Sequence, residues 1–452
     1  MPDRLPPGPY RHLRLSDGTD VPYYIIPFDK QGRCEGPETR KHLLDSAKAQ
    51  GYTDIFLFSH GWNNDWTAAT ERYENFIEGY MGMRQKHSLP MPPGYKPLLV
   101  GIFWPSTALV FTEDEVGPGI AADDPEAMDA AVAEERQEVR EVAEALPPDA
   151  DVERFYELAQ KEALTEEEAL ELARILAPLY RGENDELEAG GSSSAEEILA
   201  VWKAAAPPQQ DFSDASDFGT VGGGTAGGPQ AAGFGDALRR LDPRQPIRLF
   251  TVWQMKDRAG TVGARGVSPL LRDLLKATEE KKTRVHLIGH SYGGKVVLSA
   301  VAAAELPRKV ESILLLQPAV SHLCFAEKVP GTDRPGGYRA VLDRVNKPVL
   351  TTFSAHDVPL TRVFHLAVRR ADDLGEAKIA AEGEPPSQYA ALGGFGPRKA
   401  GEKLIDIVDR PQKYDLTQGP RVYGIRATRT IGGHGDVSNE STWWALYNLA
   451  SG

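Results

Sequence analysis

The stretch Gly289-His290-Ser291-Tyr292-Gly293-Gly294 sets a serine in a Gly-x-Ser-x-Gly turn, between an apolar run at 284–288 and a helix-like run at 295–304. At such a strand-to-helix turn a serine is held in a strained backbone conformation, and small residues two before and two after leave room for it, the pattern of a nucleophile elbow. A serine hydroxyl is a poor nucleophile at neutral pH and needs a base that a third group orients. In a doubly wound sheet all three lie just past strand C-termini, in the order serine, acid, histidine. Asp357 follows a strand-like run at 348–353 and His434 follows one at 421–428, which is that order. The rival bases are His322, His356 and His365, and the rival acid is Asp343. Asp357 also reads as a helix cap ahead of Pro359, a role compatible with that of the acid.

Acyl transfer through a tetrahedral intermediate needs two donors for its oxyanion, each commonly worth about 10²–10³ in rate. The amide of Tyr292, directly after the serine, is the expected first donor. The second belongs after an early buried strand, where His60-Gly61-Trp62-Asn63 stands; the Trp62 amide is assigned, with Gly61 permitting close approach. Gly61, Asn63, Trp66 and Trp104, with Phe111 nearby, are the expected substrate-side residues, and their aromatic rings favour a hydrophobic acyl group.

Gly289 to Lys295 also fits G-x-x-x-x-G-K, a phosphate-binding loop. The magnesium-ligating hydroxyl expected next is replaced by Val296, and the following strand-like run ends in Gln317 where an aspartate would serve the metal. A nucleotide hydrolase is therefore set aside, and neither a metal nor a cofactor is expected.

These residues require a sheet to carry them. Runs at 11–15 and 21–27 flank Asp17-Gly18 and read as a hairpin. A helix-like stretch at 38–50 precedes the short run 54–58, apolar after Asp54, another helix runs through about Tyr80, and 97–104 is a second buried strand. Strands are expected again at 247–253, 310–316, 348–353 and 421–428, with a closing helix from Thr442 and an irregular Gly/Pro-rich region at 371–420. Strands alternating with helices predict an α/β fold with a mostly parallel sheet covered on both faces. Between the early and late strands, 128–146, 154–160 and 166–179 carry Ala, Glu and Leu with apolar residues at helical spacing, and 219–235 is glycine-rich. The expected division is 1–111 as the first part of the core, 112–235 as a helical insertion and 236–452 as the second part.

The net charge of −14 belongs to that insertion: residues 113–190 hold 25 Asp and Glu against 6 Lys and Arg, leaving +5 on the rest of the chain. No basic stripe interleaved with aromatics suggests a nucleic-acid surface. With only Cys34 and Cys324, disulfides do not organise the fold. The first residues lack a signal-peptide core, and no run approaches the roughly 20 apolar residues of a bilayer span, so a cytoplasmic protein without stable membrane insertion is expected, signal-less secretion leaving the same signature.

The combination of His60-Gly61-Trp62-Asn63-Asn64, Phe103-Trp104-Pro105-Ser106 and Ile288-Gly289-His290-Ser291-Tyr292-Gly293-Gly294 resembles the α/β-hydrolase superfamily, in particular bacterial serine hydrolases grouped with esterases and lipases. The similarity covers about 50–108 and 247–450. It implies Ser291 as nucleophile, His434 as base, Asp357 as acid, and Trp62 and Tyr292 as oxyanion donors. The expected activity is hydrolysis of a small or lipid-like carboxylic ester or thioester through an acyl-enzyme. An amidase or peptidase would use the same groups, and a non-catalytic scaffold would work through its acidic insertion. That insertion is read as a lid, a surface for a cationic protein partner, or a solvated decoration.

Overall fold

The computed structural model describes residues 7–14, 18, 20–62, 64, 66–91, 94–106, 139–140, 142–161, 163–180, 194–205, 242–303, 305–364, 385, 389–416 and 419–451. Among the described residues nine strands form one sheet: β1 (Arg11–Arg14), β2 (Asp20–Pro27), β3 (Asp54–Ser59), β4 (Pro97–Phe103), β5 (Arg284–His290), β6 (Ser312–Leu316), β7 (Val349–Phe353), β8 (Lys403–Asp406) and β9 (Val422–Arg426). Their spatial order is β1-β2-β4-β3-β5-β6-β7-β9-β8. Of these, β1 pairs antiparallel with β2; the other pairs are parallel.

The central strands are buried along almost their whole length and are mainly apolar, because helices cover both faces. Along β3, Ile55 and Leu57 face one core and Phe56 and Phe58 the other, the alternation that a pleated strand imposes. The first core takes in the helices Pro37–Gln50, Ser268–Ala277 and Tyr292–Ala302. The second takes in Trp66–Lys86 and Glu440–Ser451. After β3 the chain pairs β4 on one side, then crosses to lay β5 on the other, so loops diverge past the C-termini of β3 and β5. In open α/β sheets such a switch point opens a crevice for ligands.

Two expectations change. The run at 247–253 is not a strand; it lies within the helix Arg244–Thr261. Its buried residues Ile247, Phe250 and Thr251 continue as Met255, Ala259 and Val262, a spacing of three to four that a seven-residue window does not reveal. The Thr251 hydroxyl donates to the Ile247 carbonyl one turn back at 2.9 Å. This helix runs on through a π-helical segment, Val262–Val267, into Ser268–Ala277. The other change is β8, inside the Gly/Pro-rich region. Among the described residues it pairs with β9 alone, and its residues are mostly exposed, so it has no apolar alternation to announce it.

Within the insertion, Val152–Ala159, Glu166–Leu176 and Ala195–Ala205 are helices. Asp151 caps the first through the Arg154 amide, and Thr165 with Glu168 forms a reciprocal capping box on the second. These helices close around Phe155, Leu158, Leu172, Leu176 and Trp202, a third core that also takes in Ile247 and Phe250. The glycine-rich 219–235 and Phe111 lie outside the described residues.

Candidate active site

Ser291 stands between β5 and the helix Tyr292–Ala302 at φ 54° and ψ −127°, a left-handed conformation costly for a residue with a Cβ. The neighbouring strand end holds it there. The Ser291 amide donates to the Leu316 carbonyl and the Ala319 amide donates to the Ser291 carbonyl, each at 3.1 Å. A Cβ on Gly293 would lie 2.1 Å from the Ser59 carbonyl oxygen; glycine there lets the helix begin against the end of β3.

Asp357 follows β7 and is fully buried. Its Oδ1 accepts from the Leu360 amide at 3.0 Å, so the capping bond expected from Pro359 coexists with a second task. Oδ2 accepts from His434 Nδ1 at 2.8 Å. The other ring nitrogen, Nε2, lies 2.8 Å from Ser291 Oγ. An ionised carboxylate only accepts, so Nδ1 carries the ring proton and Nε2 accepts from the serine hydroxyl. The imidazole keeps about a fifth of its side chain open to solvent.

His290 supports this histidine from below: its Nε2 donates to the His434 carbonyl at 2.8 Å, and the rings sit 5.0 Å apart. Burial pushes the His290 imidazole well below its usual pKa, with the Arg72 charge adding to the effect, so it stays neutral. Among the rival bases, His322 is buried and burial lowers its pKa to about 3; it bonds through its backbone to Ala390. His356 is exposed, as is Asp343, and His365 lies outside the described residues.

Gly61 and Trp62 follow β3. A Cβ on Gly61 would come 2.5 Å from Ser291 Cβ and 3.1 Å from its Oγ, so only glycine lets this loop approach the serine. Asn64 braces the loop, its Nδ2 donating to the carbonyls of Trp62 at 2.7 Å and Gly61 at 3.2 Å. Arg72 then ties it to the histidine loop, with Nε donating to Asn64 Oδ1 at 3.3 Å and Nη1 to the Gly435 carbonyl at 3.2 Å. Tyr292, also buried, packs its ring 6.2 Å from that of Trp62.

Two expected substrate-side residues serve the fold in this structure. Trp104 is completely buried. It stacks on His60 at 5.5 Å and 9° and donates Nε1 to the His60 carbonyl at 3.1 Å. His60 is itself buried, its pKa lowered to about 3 by burial. Trp66 packs edge-on to Phe103 and Tyr10 in the second core. Asn63 lies outside the described residues.

Sequence reasoning missed Arg72, quoted His290 and Asn64 within motifs without giving them a role, and missed the part played by Gln317, whose Nε2 donates to Asp357 Oδ2 at 2.9 Å. Gln317 left a trace, a polar residue closing an apolar strand, whereas Arg72 sits mid-helix with no local signal.

A family model described as the PGAP1-like alpha/beta domain matches residues 266–323, the segment that carries β5, Ser291 and β6. No curated protein and no solved structure matches the chain. The nine-stranded, mostly parallel sheet and the matched segment together give the chain an α/β-hydrolase-like fold.

Proposed function

We propose that the protein is a serine hydrolase that cleaves carboxylic esters or thioesters through an acyl-enzyme on Ser291. The observation that carries this reading is the unbroken run of hydrogen bonds from Ser291 Oγ to His434 Nε2 and from His434 Nδ1 to Asp357 Oδ2, both 2.8 Å, at the switch point of the sheet. As Ser291 Oγ attacks the carbonyl carbon, His434 takes its proton. The oxyanion rests on the amides of Trp62 and Tyr292, the latter at the positive end of a helix. Collapse of the intermediate expels the alcohol or thiol, which receives the proton from His434. Water, deprotonated by His434, then attacks the acyl carbon and releases the acid, restoring the serine hydroxyl. Asp357 orients the imidazole and stabilises its charged form throughout.

The decisive experiment is intact-mass detection of a fluorophosphonate adduct. One adduct on the unsubstituted chain and none on Ser291→Ala is the expected result. An adduct that survives in Ser291→Ala would move the nucleophile elsewhere, and no adduct on folded protein would remove the activity. An ester, thioester and amide panel on the labelled protein then separates the leaving groups.

A further inference from the structure

Gln317 closes β6, one strand over from the serine and next to the strand that delivers Asp357. It is fully buried and holds φ 44°, a second left-handed non-glycine residue beside Ser291. Its amide donates to Thr352 Oγ1 at 3.0 Å, which fixes the backbone against β7. Its side-chain Nε2 faces two acceptors, Asp357 Oδ2 at 2.9 Å and the Gly393 carbonyl at 3.2 Å. Two acceptors require the two-proton amide nitrogen, so the orientation of the carboxamide is settled by its partners. Its oxygen, Oε1, is buried with no hydrogen-bond partner among the described residues. The side chain thus satisfies Asp357 and leaves its own acceptor unmatched.

The oxygen it contacts is the same Oδ2 that accepts from His434. The flanking residues Leu316 and Ala319 hold the Ser291 backbone from both sides. One turn, 316–319, therefore references the serine through its main chain and the acid through its side chain.

We propose that Gln317 is a positioning residue for the acid: it locks the Asp357 carboxylate so that Oδ2 meets His434 in line, and so sets the histidine's aim at Ser291. The role rests on the serine-hydrolase reading. A hydrophobic residue of the same length would fill the space but remove one of the two donors to Oδ2, leaving the carboxylate held by His434 and the Leu360 amide alone, and misplacement by about 1 Å costs on the order of a hundredfold in rate.

The test compares the unsubstituted chain with Gln317→Met and Gln317→Glu. Three quantities are read: the rate of fluorophosphonate labelling, kcat and KM for p-nitrophenyl acetate, and the downfield proton resonance of His434 Nδ1–H. Gln317→Met should fold with an unchanged circular-dichroism spectrum and slow labelling roughly tenfold or more. It should lower kcat with KM held, and shift or broaden the resonance. Gln317→Glu keeps the shape but offers an acceptor in place of the donor, so it should be at least as slow. Wild-type rates in both variants with the resonance unmoved would overturn the role while leaving the hydrolase intact. Activity that falls only in proportion to folded protein, with the resonance unmoved, would reduce Gln317 to packing. Absence of labelling in the unsubstituted chain would remove the hydrolase reading and this role with it, a result distinct from the other two.

Discussion

The strained backbone at Ser291 costs about 1–3 kcal/mol, and it persists because Leu316 and Ala319 bond both of its main-chain groups. The strain brings Oγ toward His434 and, on the other side, the Gly61 loop toward Oγ. That closeness leaves no room for a side chain at Gly61. In Gly61→Ala the new methyl would lie 2.5 Å from Ser291 Cβ and 3.1 Å from the His290 carbonyl oxygen, so either the loop or the serine must move. The expected outcome is labelling slowed by about a hundredfold together with a stability loss of about 1–3 kcal/mol from overpacking. Urea denaturation and labelling kinetics on one preparation measure both; an alanine variant that labels normally would show that the loop does not set the serine's surroundings.

At the scale of elements, the helix Arg244–Thr261 joins two cores. Ile247 and Phe250 belong to the core of the insertion, and Met255 and Ala259 to the core beneath the sheet. Arg258 adds a bond from Nη1 to the Pro105 carbonyl at 3.0 Å, just past β4. The insertion helices are short, 8 to 11 residues, and helices of that length are marginal alone. Packing around Leu172 therefore carries them. Leu172→Ala should destabilise that cluster by about 2–5 kcal/mol. Faster amide exchange is expected across 152–176 and 195–205, with β3 and β5 unchanged and Ser291 labelling retained. Equal acceleration in β5 would show that the insertion and the sheet unfold as one unit. Because Ile247 and Phe250 complete the insertion's core, removal of 113–235 would uncover both.

At the scale of the whole molecule, buried histidines govern the response to acid. Burial holds His60 and His322 at about 3 and places His290 well below its ordinary value of 6.5. Folded, they stay neutral; unfolded, they take up protons below about pH 6.5. The unfolded chain therefore binds more protons in that range, and stability falls as pH drops from 6.5 toward 3. Each histidine contributes up to about 1.4 kcal/mol per pH unit. Urea midpoints at pH 7.5, 6 and 5 should fall progressively, with less acid sensitivity in His322→Gln, which lies away from the hydrogen-bonded serine. A midpoint flat between pH 7.5 and 5 would show that these groups find compensation on protonation. No helix among the described residues is long and apolar enough to cross a membrane.

What the sequence determined by itself is what is encoded locally. An apolar run such as 55–58 has to be a strand covered on both faces, the turn at Ser291 joins a strand to a helix within a few residues, and the order of serine, acid and histidine follows from where strands end. The tertiary structure decided everything that depends on distant partners. Asp357 and Ser291 reach His434 across 77 and 143 residues, and Arg72 reaches Gly435 across 363. No periodicity records such distances, so sequence could name candidate histidines but not place one between a serine and a carboxylate. The run at 247–253 became helix because its buried face continues at helical spacing beyond the apolar window, and exposed β8 formed because β9 offered it an edge. Trp104 reads as a mouth residue in one dimension and lies under His60 in three, because a ring's environment is set by what packs over it. Gln317 is only a polar strand end until Asp357 arrives from the next strand to accept its proton.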